Sequence, residues 1–133
     1  MKHEVIQPPD WAPAKGYANG IMVRGGATLY VAGQIAWNAQ QELIGRGDLG
    51  LQFAQCLRNV ATVVEAGGGQ PEHVVRMTVY VTDKLAYLAA TKAIGGVWRE
   101  IFGRHYPAMA LVQVADLLED GAMVEIEATA MIP

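Results

Sequence analysis

The sequence predicts an α+β domain in which two helices cover one face of a single sheet, in the order ββαβαββ. Two segments place apolar residues three and four positions apart, one after Asp48 and one after Asp83, which is the spacing of an amphipathic helix. The other ordered segments are short, rich in β-branched or alternating apolar residues, and bounded by Gly, Pro or Asp, as strands are. Two helices are too few to cover both faces of a sheet, so one face needs another cover.

The chain opens with a loop and two strands. Residues 7–16, QPPDWAPAKG, carry three prolines and therefore predict an extended loop rather than a helix. Residues 21–23 and 28–32 are mostly apolar or β-branched, and the Arg-Gly-Gly sequence between them predicts the turn of a hairpin. The polar, glycine-containing segment that follows, up to Gly47, indicates a loop leading to the first helix.

Capping residues and periodicity predict the two helices. Asp48 is expected to cap a helix that ends at the three glycines 67–69. The apolar face of this helix consists of Leu49, Phe53, Cys56, Leu57, Val60 and Val64. Asp83 is expected to cap the second helix, whose stripe is Leu88, Thr91, Ile94, Trp98 and Ile101. Gly95 and Gly96 within it should each cost about 1 kcal/mol against alanine, which predicts a close backbone approach or a bend there.

Three further strands are predicted at residues 74–81, 109–114 and 123–132. In the first, alternation places Val75, Met77, Val79 and Val81 on one side and Arg76, Thr78 and Tyr80 on the other. In the last, one side is purely apolar, and consists of Val124, Ile126, Ala128 and Ala130. The opposite side mixes Glu125, Glu127 and Thr129 with two methionines, a composition that suits a wet subunit interface. The pattern therefore predicts a homo-oligomer whose sheets meet through their helix-free faces.

Composition limits the function classes. At 133 residues the chain has the common size of one domain, so we expect a single domain spanning residues 1–133. Apolar residues make up 52% and charged residues 17%, which leaves little polar cover for a monomer and favours an oligomer. The net charge of −3 and the scattered Lys and Arg argue against nucleic acid as a partner.

Targeting signals and metal-ligand patterns are missing from the sequence. No apolar run reaches the roughly 18–20 residues of a membrane span, and the N-terminus lacks the apolar core of a signal peptide, so we expect no membrane association and a cytoplasmic location. The single cysteine, Cys56, has no Cys or His partner at metal-ligand spacing, and is expected to pack in the core. His3 and His73 carry no metal-binding pattern either.

Four stretches resemble, in order and spacing, the Rid (YjgF-type, endoribonuclease L-PSP-like) family of imine deaminases. They are GYANG at 16–20, LYVAGQI at 29–35, VVRMTVYVTD at 74–83, and YPAMALVQVADL at 106–117 followed by VEIEATA at 124–130. The resemblance implies a chorismate-mutase-like fold and a homotrimer around a barrel-like centre. It also implies small-molecule clefts at the interfaces between subunits, and an activity that requires no cofactor.

The clearest departure from the family pattern is at Met109. Members that deaminate carry Pro-Ala-Arg at this point, and the arginine holds the substrate carboxylate through two parallel hydrogen bonds. Here the sequence reads Tyr106-Pro107-Ala108-Met109, and methionine offers an apolar surface without charge. Leu111 stands where the family has a cysteine or a small polar residue. The resemblance therefore implies a more apolar substrate cleft with Met109 and Leu111 in its wall.

Other site residues of the family are present. Glu125 matches the acidic residue that positions or activates the attacking water, and a carboxylate of this kind can exchange protons with water and an imine nitrogen. Tyr17 matches the tyrosine of the N-terminal turn, and Gly33 matches the glycine whose backbone approaches the ligand. The asparagine that the family carries on its second helix is replaced near Gly95.

Each of these residues also has a purely structural interpretation. Glu125 and Glu127 could form the solvated side of an edge strand, Tyr17 could fill an interface, and Met109 could simply pack. His105 lies in a polar turn, where a histidine is usually exposed. The arginines that could hold a substrate carboxylate in place of the family arginine are Arg24, Arg76 and Arg104.

Two functions therefore stay open. The first is hydrolysis of enamine or imine intermediates, with a specificity altered because Met109 replaces the family arginine. The alternative is a non-catalytic trimer that binds a small ligand or regulates another protein. A nuclease or translation inhibitor, which older names of the family suggest, fits the acidic composition least.

Overall fold

The structure is a computed structural model and describes residues 2–133. Six strands and three helices follow one another in the order β1 (Lys2–Ile6), β2 (Gly20–Arg24), β3 (Ala27–Gln34), α1 (Leu49–Ala66), β4 (Val74–Val81), α2 (Lys84–Ala89), α3 (Thr91–Phe102), β5 (Ala108–Gln113) and β6 (Val124–Ile132). A 3₁₀ turn at Pro71–His73 leads into β4. None of the helices in this part of the chain is long and apolar enough to cross a membrane.

A mixed four-stranded sheet with the strand order β3-β6-β4-β5 forms the centre of the fold. β6 pairs antiparallel with both β3 and β4, whereas β4 and β5 run parallel and are joined by the crossover through α2 and α3. On β4 and β6, alternate residues are buried, because α1 covers only one face of the sheet. This arrangement confirms the predicted α+β class with helices on one face.

The predicted hairpin between residues 21–23 and 28–32 is wrong. β2 pairs with β1 in a separate two-stranded sheet, and β3 pairs with β6 instead. Gly25 and Gly26 both have positive φ angles, of 79° and 82°, and the chain leaves one sheet for the other at these residues. No strand is predicted from the sequence at β1, because its Lys-His-Glu-Val-Ile sequence is mostly polar and exposed.

The first helix agrees with its prediction, and the second does not. The Asp48 carboxylate caps α1 by accepting a hydrogen bond from the Leu51 amide at 3.1 Å, and all six predicted apolar residues of α1 are buried. The predicted second helix is instead split at Ala90 into α2 and α3, and Leu88 is 60% exposed as a result. Thr91 is exposed as well, so the core-facing part of the predicted stripe begins at Ile94.

Gly95 and Gly96 do not mediate a close backbone approach within the chain. Apart from the adjacent residues and the backbone of the same helix, no atom lies within 4 Å of the position that a Cβ would take at either glycine. The interruption of the predicted helix falls instead at Ala90, which leaves helical geometry with φ −101° and ψ 2°. The prediction for the glycine pair is therefore wrong for contacts inside one chain.

The predicted sides of β6 are confirmed, and those of β4 need one correction. Val124, Ile126, Ala128 and Ala130 are all at most 6% exposed on the helix-covered side of β6. On β4 a bulge between Val74 and Arg76 places Val74 rather than Val75 in the core.

The helix-free face of the sheet is polar and open in the single chain. Tyr30 is 80% exposed on this face. The Tyr80 hydroxyl donates a hydrogen bond to a Glu127 carboxylate oxygen at 2.8 Å, which raises the pKa of Tyr80. The expectation that another subunit covers this face stays a prediction.

Candidate functional site

Gly33 and Glu125 are adjacent across the β3–β6 pair. A bulge in β3 shifts the register between Val31 and Gln34, and Gly33 lies within it. A Cβ on Gly33 would lie 2.6 Å from the Glu125 Oε2 atom, which is closer than real Cβ atoms approach. Only glycine therefore leaves room for the Glu125 carboxylate in its present position.

The Glu125 side chain lines a cavity of about 290 Å³, which we call the Glu125 cavity. The other residues of its wall are Gly33, Gln34, Ile35, Trp37, Gln41, Leu118 and Glu119. A half-buried carboxylate beside such a cavity can orient a water molecule and accept its proton, which is the role of a general base.

Sequence reasoning missed most of the wall of the Glu125 cavity. Trp37, Gln41 and Glu119 lie in loops, where no periodic pattern marks them. Gln41 is the one non-glycine residue of the described chain with a positive φ, at 59°. The Trp37 indole nitrogen is buried and has no hydrogen-bond partner among the described residues.

Three amide side chains on α1 hold the loops around the Glu125 cavity. Gln52 is fully buried, and its amide donates to the carbonyls of Gly45 and Gly121 at 3.2 and 3.0 Å. Its oxygen accepts from the Met123 amide at 2.8 Å, two residues before Glu125. The segment that leads into Glu125 is therefore fixed to α1 through one side chain.

The second and third amides hold the opposite loop. Gln55 and Asn59 both donate to the Trp37 carbonyl, at 3.1 and 2.9 Å, and Asn59 also donates to the Ile35 carbonyl at 3.1 Å. The sequence contained a signal for this framework, because Gln52, Gln55 and Asn59 recur at the helical spacing of three and four.

Tyr17 lies at a different place, beside the start of β5. The amide of the next residue, Ala18, donates to the Pro107 carbonyl at 2.9 Å, and Ala18 forms an isolated parallel bridge with Ala108. Tyr17 is 42% exposed and lines a second cavity, of about 300 Å³, together with Arg104 and other residues. We call this the Tyr17 cavity.

Met109 and Leu111 lie on the helix-covered side of β5. In the parallel β4–β5 pair they are opposite Met77 and Val79, which are fully buried. Both are themselves half-buried and pack against the core from the edge of the sheet. The packing interpretation of Met109 therefore describes at least part of its side chain.

The structure does not bring Glu125 and Met109 together within one chain. Glu125 is paired with Tyr80 of β4, whereas Met109 is paired with Met77, three residues earlier on the same strand. Three residues amount to about 10 Å along the strand, and β6 and β5 are about 10 Å apart on either side of β4, so the two Cα atoms are separated by about 14 Å. The odd offset also places the two side chains on opposite faces of the sheet.

Comparison with known families settles the relationship of the chain. The sequence profile of the endoribonuclease L-PSP family matches residues 8–132. The chain belongs to this family. The match covers every strand except β1, so the resemblance to the Rid (YjgF-type) proteins is confirmed.

Individual relatives agree with this assignment. A RutC family protein of Pyrococcus horikoshii is 33% identical over 130 residues, which cover 98% of each chain. A 2-iminobutanoate/2-iminopropanoate deaminase of Dermatophagoides farinae is 31% identical over 120 residues, or 90% of this chain and 88% of the relative. The crystal structure of a Rid family protein of unknown function from Yersinia pestis has a TM-score of 0.88 at 35% identity, covering 99% of this chain and 100% of that one.

The three arginines that could take the place of the family's carboxylate-binding arginine lie in different surroundings. Arg24 is on β2 and lies 3.7 Å from the Glu4 carboxylate, so its charge is already paired. Arg76 is on the helix-free face and lines a cavity of about 560 Å³ with Glu127. Arg104 lines the Tyr17 cavity. In this family member, Arg104 is therefore the arginine that shares a cavity with a predicted substrate-binding residue.

His105 is not the freely exposed residue that its polar turn suggested. It is half-buried, and its Nε2 atom lies 2.6 Å from the Val74 carbonyl. The His105 backbone carbonyl also accepts a hydrogen bond from the Trp98 indole at 3.1 Å. These contacts fix the ring between the Tyr17 cavity and a neighbouring cavity lined by His3 and His73. Within residues 2–133, no three His, Cys, Asp or Glu side chains are arranged to hold a metal ion.

Proposed function

We propose that the protein hydrolyses imine or enamine intermediates of small carbonyl compounds, with a specificity altered by Met109. The observation that carries this proposal is the Glu125 carboxylate, packed against Gly33 and open to the Glu125 cavity. A relative that is 31% identical over most of both chains is named as a deaminase of 2-iminobutanoate and 2-iminopropanoate, which supports the substrate class.

In the proposed reaction, Glu125 works on a water molecule. The carboxylate accepts a proton from the water as its oxygen attacks the imine carbon, and then delivers that proton to the nitrogen. The product of this addition is a carbinolamine. Its hydroxyl proton passes through the same carboxylate to the nitrogen as the C=O double bond forms and the C–N bond breaks, so ammonia leaves, the carbonyl compound remains, and one water is consumed for each imine. The amides of Gln52, Gln55 and Asn59 contribute by holding the loops around the carboxylate in place.

We further propose that the substrate cleft lies between subunits of a homotrimer. β3, which carries Gly33, and β5, which carries Met109, are the two opposite edges of the sheet. A ring that joins the β5 edge of one copy to the β3 edge of the next would place Met109 and Leu111 opposite the partner's copy of Gly33 and Glu125. The separation of about 14 Å within one chain supports such an arrangement, because one small substrate cannot reach both groups.

Met109 is proposed to set the specificity. A thioether offers dispersion contacts but cannot form the charge-assisted hydrogen bonds that hold a carboxylate. The protein is therefore expected to favour imines with apolar side chains over the smallest carboxylate-anchored ones.

The test is hydrolysis of imines generated freshly by an amino-acid oxidase, from alanine-like to bulky apolar side chains. The natural protein is compared with Met109→Arg, and Glu125→Gln serves as the inactive control. Hydrolysis by the natural protein that is lost in Glu125→Gln supports the proposal. Hydrolysis by Met109→Arg alone would mean that Met109 has switched the chemistry off, and hydrolysis by neither would exclude deamination of these compounds.

A second candidate is a trimer that binds a small ligand without converting it. The observation in its favour is that Met109 and Leu111 both pack against the core and offer no charge or hydrogen-bond donor to a substrate. In that case a ligand should raise the unfolding temperature and be recovered unchanged after prolonged incubation. Conversion of that ligand would contradict this second function.

A further inference from the structure

The Glu125 cavity differs from the other cavities in its charge. Its wall contains two carboxylates, those of Glu119 and Glu125, and no Lys, Arg or His side chain. Four further cavities along residues 2–133 each contain an Arg or a His, or have no charged residue at all. Among these five, the Glu125 cavity is therefore the one whose charged groups are all negative.

No ion pair within the chain neutralises the two carboxylates. Across residues 2–133, Arg24 and Glu4 form the one ion pair within 4 Å. Glu119 is exposed in the loop between β5 and β6, whereas Glu125 is half-buried. A ligand in the cavity therefore meets two uncompensated negative charges, which repel an anion and attract a cation.

The uncharged part of the wall suits a cation with an apolar body. Trp37 is half-buried, and its indole nitrogen, the one polar atom of the side chain, is covered, so the ring offers aromatic carbon surface to a ligand. An aromatic surface attracts cations through its quadrupole and also packs against apolar groups. Ile35 and Leu118 add further apolar side chains to the wall.

The wall that a neighbouring copy would contribute carries no positive charge either. In the proposed homotrimer, Met109 and Leu111 of the next copy face the Glu125 cavity, and neither side chain can neutralise a substrate carboxylate. Arg104 lines the Tyr17 cavity instead. A substrate with a carboxylate would thus meet Glu119 and Glu125 without a balancing arginine on either of these walls.

We propose that the substrates of this protein are protonated imines that carry no carboxylate, and that Glu119 selects them by their positive charge. This inference deepens the proposed function and rests on it, because it takes Glu125 to be the base that activates water. One protonated imine and one water then give one aldehyde or ketone and one ammonium ion. Such imines form when a primary amine without a carboxylate loses a hydride and a proton to an amine oxidase or dehydrogenase, so a reaction of that class must supply the substrate.

The first experiment measures binding without turnover. The probes are benzamidinium, benzamide and benzoate, which share a phenyl ring and a planar head group but are positive, neutral and negative, respectively. Each is titrated against the protein and observed by ligand NMR. The variants are Glu119→Gln and the matched control Glu100→Gln, which removes an exposed carboxylate of α3 that lines none of the five cavities.

We expect the natural protein to bind benzamidinium most tightly and benzoate least tightly. Glu119→Gln should weaken binding of benzamidinium by about 2- to 5-fold, a size usual for an exposed ion pair, and should leave that of benzamide unchanged. Glu100→Gln should bind all three probes as the natural protein does.

The second experiment measures turnover. Benzylamine and a flavin-dependent amine oxidase give an imine without a carboxylate, and phenylalanine and an amino-acid oxidase give one with it. Hydrolysis is followed by the fall in the rate at which semicarbazide traps the remaining imine. We expect the protein to hydrolyse the benzylamine imine faster than the phenylalanine imine.

The outcomes separate this inference from the proposed function. Tighter binding of benzoate than of benzamidinium would overturn the inference, as would equal affinities of Glu119→Gln and Glu100→Gln for benzamidinium. Hydrolysis of the phenylalanine imine alone would also overturn it, while the proposed function stands. Selective binding of benzamidinium through Glu119 without hydrolysis of either imine would keep the charge selection by Glu119 and remove the proposed function.

Discussion

The position of the Glu125 carboxylate depends on glycine at position 33. The Glu125 Oε2 atom lies only 2.6 Å from the position that a Cβ on residue 33 would take, so the carboxylate can lie there only because residue 33 has no side chain. The clash would involve the far end of a flexible side chain, which can rotate away at little cost. A methyl group at position 33 should therefore affect chemistry more than folding.

We accordingly expect Gly33→Ala to lower kcat/KM for any imine that the protein hydrolyses by about 10- to 100-fold, because the carboxylate is displaced by an ångström or more. The unfolding temperature should change little. Gly50→Ala is the control, since a Cβ there makes only ordinary contacts, with Asp48 and Ala90 at 3.5 and 3.8 Å. Unchanged turnover in Gly33→Ala, measured beside that control, would show that the position of the Glu125 carboxylate does not limit the reaction.

The secondary structure elements differ in how well the sequence predicts them. α1 was predicted in full, because a capping aspartate and an apolar face report on the same segment. β1 was not predicted, since its five exposed and mostly polar residues carry no burial signal. The pairing of β3 with β6 could not be predicted from local pattern either, because it joins residues 103 positions apart.

The candidate site, too, could be predicted only in part from local sequence pattern. Glu125, Gly33 and Tyr17 could be named from family motifs, and the structure brings the first two together. Their arrangement could not be predicted, because face and distance depend on strand register. Trp37 and Glu119 were missed because a loop residue leaves no periodic trace in the sequence.

The α1 framework leads to a prediction for Gln52. Gln52→Leu would leave the Gly121 carbonyl and the Met123 amide without a partner, whereas the Gly45 carbonyl keeps its hydrogen bond from the Asp48 amide. Buried groups of this kind cost about 1–3 kcal/mol each when unsatisfied. We expect the free energy of unfolding to fall by about 2–4 kcal/mol in urea titrations. Gln40→Leu, at an exposed loop residue, is the control. Equal stability of the two variants would argue that water replaces the lost hydrogen bonds.

The ribbon formed by β1 and β2 should respond to pH through His3. Burial, the largest cause, lowers the pKa of His3 below 6.5, and the nearby His73 and His105 lower it further, against a hydrogen bond to Met131 and the charge of Glu72. The folded protein therefore binds this proton less readily than the unfolded chain. Stability from this source is complete above about pH 6.5 and falls as the pH drops from there towards the folded pKa.

The corresponding measurement is urea unfolding between pH 5 and 7.5 for the natural protein and His3→Gln. We expect the loss of stability on acidification to be smaller in the variant, because glutamine does not titrate in this range. Parallel curves for the two proteins would show that His3 is protonated equally in the folded and unfolded states.

At the scale of the whole molecule, the single chain leaves the helix-free face of its sheet uncovered. This face carries the strongly exposed Tyr30, and both sheet edges are available for pairing. An apolar content of 52% in so small a chain also favours an oligomer. The arrangement favours a closed ring of copies over a monomer.

If this ring is the proposed homotrimer, light scattering should give a mass of three times the chain's 14.3 kDa. Tyr30→Glu should shift the protein towards monomers, because it places a charge on the helix-free face, which another copy is expected to cover. Leu88→Glu, which adds the same charge at a residue of α2 that is 60% exposed, should not. A monomeric natural protein, or an equal response of both variants, would contradict an assembly through the helix-free faces.

The long-range pairing of β3 with β6 has a consequence for how the protein is made. Thr28 and Met131 face each other across this pair, 103 positions apart, and the loop-closure entropy grows with such a separation. During synthesis β3 emerges early and has no partner strand until β6 leaves the ribosome. Since Gly33 lies on β3 and Glu125 on β6, the Glu125 cavity is among the last features to form, and an incomplete nascent chain lacks it.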